Sequence, residues 1–186
     1  MKKSLLLLSF IFVTSVSAQT KDVELYTPTP SYPSIAHVDI LAGLTIPTGD
    51  QMDNVDSRFG MGAQLLFDAT SAFSIGAYYN TSNGEINNTN VDMRLSYYGV
   101  VAQYKMTPMF YSQFKAGFST ISVDGGSTTV TIDENPFTIS AGLGLELPIS
   151  GMFSFAPYAS YTHSFEKDTV DSYGLVDIMA SLRFKF

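Results

Sequence analysis

From Ala36 onward most of the strand-like stretches alternate apolar and polar side chains with a period of two, and no segment has convincing helical periodicity. Neighbouring side chains on an extended strand point to opposite faces, so a period of two means strands with one oily and one polar side. Eight stretches of about ten residues carry this character, at 36–47, 58–68, 72–81, 92–105, 109–121, 136–147, 153–164 and 173–186. The last, "VDIMASLRFKF", sharpens the alternation up to its final phenylalanine, where the end of a soluble strand would usually fray into water.

The connections narrow the topology further. Long polar segments, "TGDQMDNVDS", "SNGEINNTNV", "DGGSTTVTIDEN" and "EKDTVDS", alternate without exception with the short turns "DATS", "KMTPM" and "PISGM". In an antiparallel meander the long connections all emerge at one end, and both termini lie at the other. An even strand number with this loop asymmetry is the arrangement of an outer-membrane barrel, whose tilted strands need about 9–11 residues to cross a bilayer. Closure leaves no sheet edge, as lipid requires. The expected fold is therefore all-β, an eight-stranded antiparallel up-and-down transmembrane β-barrel over residues 36–186.

The phase of the alternation assigns the faces. Val38, Ile40, Ala42, Leu44 and Ile46 oppose His37, Asp39, Leu41, Gly43 and Thr45. In the second stretch Phe59, Met61, Ala63, Leu65 and Phe67 oppose Arg58, Gly60, Gly62, Gln64 and Asp68, with Leu66 as the exception. Glycine and small polar residues suit the crowded inside of an eight-stranded barrel, so the oily set faces lipid; a soluble lipocalin-like binder would reverse the two. Phe67, Phe73, Phe110, Phe153, Phe184 and Phe186 at the turn end, and Phe59, Tyr79, Phe137 and Tyr161 at the loop end, would form two interfacial girdles. Two stretches fit poorly. The fourth needs an outward Gln103 or a bulge near Gly99 to change phase, and in the seventh Pro157 must interrupt a ladder.

The N-terminus, "MKKSLLLLSFIFVTSVSAQT", has two lysines, an apolar run too short to span a bilayer and small residues before Ala18, which reads as a signal peptide over residues 1–18. Residues 19–35, with Pro28, Pro30 and Pro33, read as an extended periplasmic tail. Export takes away Lys2 and Lys3 and leaves 8 basic against 17 acidic side chains, a formal charge of −9. Nothing resembles a basic stripe, so nucleic acid is not an expected partner. The absence of cysteine excludes a disulfide framework and Cys-based metal sites.

These features together resemble the small eight-stranded outer-membrane proteins typified by outer-membrane protein X and the membrane domain of outer-membrane protein A. The likeness rests on strand count, loop asymmetry and the terminal "SLRFKF". It implies a Gram-negative outer membrane with extracellular long loops and periplasmic termini, and outer-membrane lipid and lipopolysaccharide as surroundings. It also implies that Ile178, Ala180, Leu182, Phe184 and Phe186 form a recognition element for the barrel-assembly machinery. The chain ends on that strand, so no peptidoglycan-binding domain is expected after it. Roles in envelope integrity, adhesion or resistance to host defence, through acidic loops meeting an extracellular ligand or host surface, follow from the same resemblance.

Other activities find less support. Eight strands enclose room for side chains rather than a pore, and the inward phase is expected to hold Asp39, Arg94, Lys115, Glu146, Asp177 and Arg183 in a neutral, paired network. Asp39 and Arg183 are the best pair, because the first and last strands must join. Some small outer-membrane barrels modify lipid A, and one deacylase family carries a His-x-Ser motif. Here His163 and Ser164 are adjacent and so point apart, and His37 lies at the far end with no serine expected beside it. Asp50, Asp53 and Asp56 lack the spacing of a calcium loop. No enzyme activity, metal or cofactor is expected.

Overall fold

The computed structural model describes residues 34–49, 55–86, 91–124, 129–132, 135–167 and 170–186. The signal peptide and nearly all of the tail lie outside these residues, as do Asp50 and Asp53. No helix occurs among the described residues. The strands are β1 (Ala36–Thr48), β2 (Arg58–Asp68), β3 (Phe73–Glu85), β4 (Asp92–Lys105), β5 (Phe110–Asp124), β6 (Thr129–Ile132), β7 (Phe137–Leu145), β8 (Leu147–Pro148), β9 (Phe153–Phe155), β10 (Tyr158–Ser164) and β11 (Tyr173–Lys185).

Each strand pairs antiparallel with its neighbour, and β1 closes on β11 from His37 opposite Lys185 to Thr48 opposite Gly174. β7 with β8 forms one wall strand and β9 with β10 another, while β6 only extends β5 as a hairpin. The result is a closed eight-stranded antiparallel barrel. Pro157 lies between β9 and β10, as a residue without an N–H must, yet the register with β11 continues across it: Phe155 faces Leu182 and Tyr158 faces Met179. β3 runs four residues further than the alternation indicated, to Glu85, paired with Asp92. With both faces polar there, a strand and a loop look alike in sequence. The two described ends meet: the Ile35 amide donates to the Phe186 carbonyl at 2.8 Å and the Phe186 amide donates to the Ala36 carbonyl at 2.9 Å.

The wall faces as its alternation dictates. Ile40, Leu44, Met61, Leu65, Ile75, Val100, Phe114, Ile139, Leu143, Ile178 and Leu182 are exposed outward, whereas Asp39, Gln64, Gln113, Thr138, Ser160 and Arg183 are buried inward. A water-soluble barrel does not leave so continuous an apolar surface uncovered. The girdle residues lie on the outer surface, and at the loop end Tyr98, Phe118, Phe137 and Phe165 form a ladder with ring centroids 6.4, 6.0 and 5.9 Å apart.

The expectation for β4 is corrected. Its register with β3 and β5 is unbroken, with no bulge at Gly99, and Gln103 is fully buried inward. Met93, Leu95, Tyr97 and Val101 face inward too, because the interior holds an apolar cluster that includes Leu66, Tyr78, Ile121, Tyr173 and Leu175. The same cluster accounts for Leu66.

Val100, half-way along β4 and outward, tests the face assignment. Val100→Arg is expected to lower folding stability by about 2–4 kcal/mol in lipid vesicles, measured by urea titration; an unchanged midpoint would mean that lipid does not cover this surface.

Candidate functional site

Inward phase and strand closure bring charges from distant parts of the chain together near the turn end. Arg183 on β11 is fully buried and every nitrogen of its guanidinium has a partner. Nε donates to Asp39 Oδ1 at 2.8 Å and Nη2 to Asp39 Oδ2 at 2.8 Å, a bidentate pair. Nη2 also donates to Gln103 Oε1 at 2.7 Å, and Nη1 to Glu146 Oε2 at 2.9 Å. Gln64 donates to Asp39 at 2.7 Å and Gln113 to Gln64 at 3.0 Å, so amides carry the network across the lumen. The Tyr111 ring lies 5.2 Å from the guanidinium carbon. It fits because residue 144 is glycine: a Cβ there would stand 2.3 Å from Tyr111 Cζ.

Glu146 collects further cations at the turn rim. Lys185 pairs with it, Lys105 lies 3.9 Å away, and Ser154 donates to it at 3.2 Å. Also at the turn end, Asp68 accepts hydrogen bonds from Ser74 at 2.6 Å and from Ser34, and faces His37 Nδ1 at 3.3 Å. Two serines therefore share the carboxylate that His37 faces. Both hydroxyls donate to the carboxylate. At the other end Ser164 is buried and His163, on the opposite face, stacks edge-on to Phe165 at 4.8 Å.

The middle of the lumen is arranged differently. Lys115 lies between the rings of Tyr78 and Tyr158, at 5.1 and 4.8 Å from their centroids, and donates to the Tyr158 hydroxyl at 3.1 Å. Asp177 accepts from Thr45 at 2.7 Å and from Thr162 at 3.5 Å. Neither has an opposite charge within ion-pair distance among the described residues. Of the six charges assigned to the lumen, then, Asp39, Glu146 and Arg183 form one network, while Lys115 and Asp177 are inside and separately satisfied.

Arg94 is not in the lumen. The uniform phase of β4 turns it outward, where its Nε donates to Asn83 Oδ1 at 3.0 Å on the exposed surface. Its place inside is taken by Arg58, which alternation had put on the inward face of β2 without assigning it to the network. Asp56 is the one described member of the acidic triplet in the first long loop. Among the described residues no group of three or more His, Cys, Asp or Glu is placed to hold a metal.

The profile of the "Outer membrane protein beta-barrel domain" family matches residues 5–184. The chain belongs to that family. Among solved structures this barrel is similar to Neisserial surface protein A, with a TM-score of 0.69 and 16% identity over 82% of this chain and 98% of that one. It is also similar to Ail, the attachment invasion locus protein of Yersinia pestis, with a TM-score of 0.52 and 12% identity over 80% and 97%. A major outer membrane protein from Thermus thermophilus gives a TM-score of 0.54 at 9% identity over 83% and 100%. No curated protein matches. At these identities the likeness to the solved barrels is one of fold.

Breaking the central pair tests the network. Asp39→Ala is expected to destabilise the barrel by about 3 kcal/mol, the low end for a broken buried pair, because Glu146 and Gln103 still hold Arg183. Urea unfolding in vesicles reads this directly. A loss under 1 kcal/mol, the ordinary value for an exposed pair, would show that the site is not dry.

Proposed function

We propose that this outer-membrane barrel acts as a structural and surface-interaction protein whose interior is closed to solutes and whose acidic long loops are its working surface. The observation that carries this reading is the burial of Asp39, Gln103, Tyr111 and Arg183 in one connected network across the lumen. A passage for solute would need those side chains to separate, and each separation leaves a buried charge without a partner. What remains free to meet another molecule is the loop end. Its long segments are polar, Gly- and Asn-rich and acidic, which suits an exposed contact surface. Two of the similar barrels are, by their names, a surface protein and an attachment and invasion protein, which agrees with a role in adhesion, envelope integrity or resistance to host defence.

In this reading a signal peptide exports the chain, the long loops face outward among lipopolysaccharide and both termini stay in the periplasm. Ile178, Ala180, Leu182, Phe184 and Phe186 lie in outward phase at the end of the wall, with Phe184 partly covered. Before the barrel closes, the same strand would offer the barrel-assembly machinery alternating apolar side chains. Nothing in the His163, Ser164 or His37 environments favours lipid-A chemistry.

Three measurements test this function. Purified protein in planar bilayers is expected to show no large steady conductance. Trimming the loops should abolish attachment to host cells or matrix while leaving barrel assembly, read as a migration shift between unheated and boiled samples, unchanged. Deleting Phe186 is expected to reduce the folded fraction in cells; full assembly without it would remove the terminal strand from the recognition step.

A further inference from the structure

Among the described residues Arg58 is the interior charge with neither a hydrogen-bond nor an ion-pair partner. It is 2% exposed, yet Nε, Nη1 and Nη2 all lack a hydrogen-bond partner among the described residues. An unpaired buried guanidinium is among the least favourable groups a fold can hold. Arg183, at the opposite end of the same lumen, shows what this barrel does when it answers an arginine from within.

The surroundings of Arg58 are those of a site rather than a packing error. The guanidinium lies within electrostatic range of the Tyr97 and Tyr173 hydroxyls, and no carboxylate of the described residues makes an ion pair with it. The Tyr97 hydroxyl is also buried without a partner, and so is Ser82 Oγ, on the inward face of β3 one strand away. Tyr173, by contrast, is engaged, donating to Ser119 at 2.8 Å. Gly84 makes room: a Cβ at that position would stand 2.9 Å from Arg58 Cβ and 3.2 Å from its Nε. The nearest inward hydroxyl along β1, that of Thr45, is turned to Asp177 instead.

We propose that the loop end of the lumen is a binding site for a small oxyanion, of the carboxylate or phosphate class, held by the Arg58 fork with hydrogen bonds from Tyr97 and Ser82. The class follows from the donors. A guanidinium presents parallel N–H groups matched to two oxygens, and two further hydroxyls suit an acceptor with lone pairs left over. The apolar residues that include Tyr97 and Tyr173 lower the local dielectric, which strengthens the contact once it forms. Arg58 opens β2 at the loop end of the wall, so an occupant would reach it from that end.

The test uses the full mature chain folded in detergent micelles with ¹⁵N-labelled arginine, titrated with inorganic phosphate at an ionic strength held constant with sodium chloride. The Arg58 Nε–Hε signal is expected to move saturably, and the thermal midpoint of the wild type to rise with phosphate. Arg58→Met should fold as well as wild type or better without phosphate and should lose the response. Where that variant does not fold, Arg58→Lys, which keeps the charge and loses the fork, gives the same readout. Tyr97→Phe should weaken binding about tenfold, the loss of one hydrogen bond to a charged group. An Arg58 signal that does not move would overturn the site. So would equal stabilisation of wild type and Arg58→Met, which marks an excluded-ion effect of phosphate, or unchanged affinity in Tyr97→Phe.

Discussion

The structure depends on the hydrogen-bonding demand of its own backbone. Where lipid is the solvent, an amide or carbonyl finds a partner only on another part of the chain. The pairing of β1 with β11 meets that demand by removing the two edges a meander would otherwise expose. Closure then fixes much else. It sets Asp39 opposite Arg183 and binds the final residue, Phe186, to Ile35 and Ala36. It also commits the outward side chains at mid-depth to the same apolar surroundings, so that a one-residue slip there would turn a whole strand inside out.

Closure at eight strands also creates a narrow interior in which polar groups must satisfy one another. The barrel does this in three ways along its axis. Near the turn end it uses full ionic pairing, with Asp39, Glu146 and two glutamines around Arg183. In the middle it holds Lys115 on tyrosine faces and Asp177 on threonine hydroxyls. Toward the loop end it turns apolar and aromatic, with Leu95, Tyr97, Tyr173 and Leu175 in one cluster. Ring faces attract a cation without carrying a countercharge, so Lys115 and Asp177 can be neighbours in one lumen without having to touch.

What the sequence made legible follows from where its alternation had a physical cause. Outward positions are read reliably because lipid accepts only apolar side chains at mid-depth, which is why Ile40, Leu65, Ile139 and Leu143 declare themselves. Inward positions are less constrained, since a crowded lumen accepts Gly60, Gln64, Leu66 or Tyr97 alike. β4 shows the consequence: with Leu95 and Val101 inside, its pattern suggests a change of phase that the strand does not make, and Arg94 is misplaced along with it. The Asp39–Arg183 pair was legible because topology demanded it. The part of Gln103, Gln113 and Gln64 was not, because an amide carries no charge to attract attention, and the serines around Asp68 are joined to it only by folding.

Among the described residues, the exchange of Arg94 for Arg58 leaves the lumen count unchanged, with Asp39, Glu146 and Asp177 against Arg58, Lys115 and Arg183. The distribution is not even. Two of the acids, Asp39 and Glu146, gather on Arg183, and the third, Asp177, accepts from Thr45 and Thr162. The acidic partners are therefore spent on the turn-end half and the middle, and a neutral total coexists with an arginine toward the loop end that no described residue neutralises. The Coulomb energy of each pair depends on its own separation and not on the sum of charges, so a lumen can be balanced overall and still present a positive centre where its apolar half begins. Had the alternation of β4 slipped by one residue, Arg94 would have joined Arg58 inside, two like charges in the apolar half of the lumen. The apolar inward face of β4 thus prevents that repulsion as well as filling space.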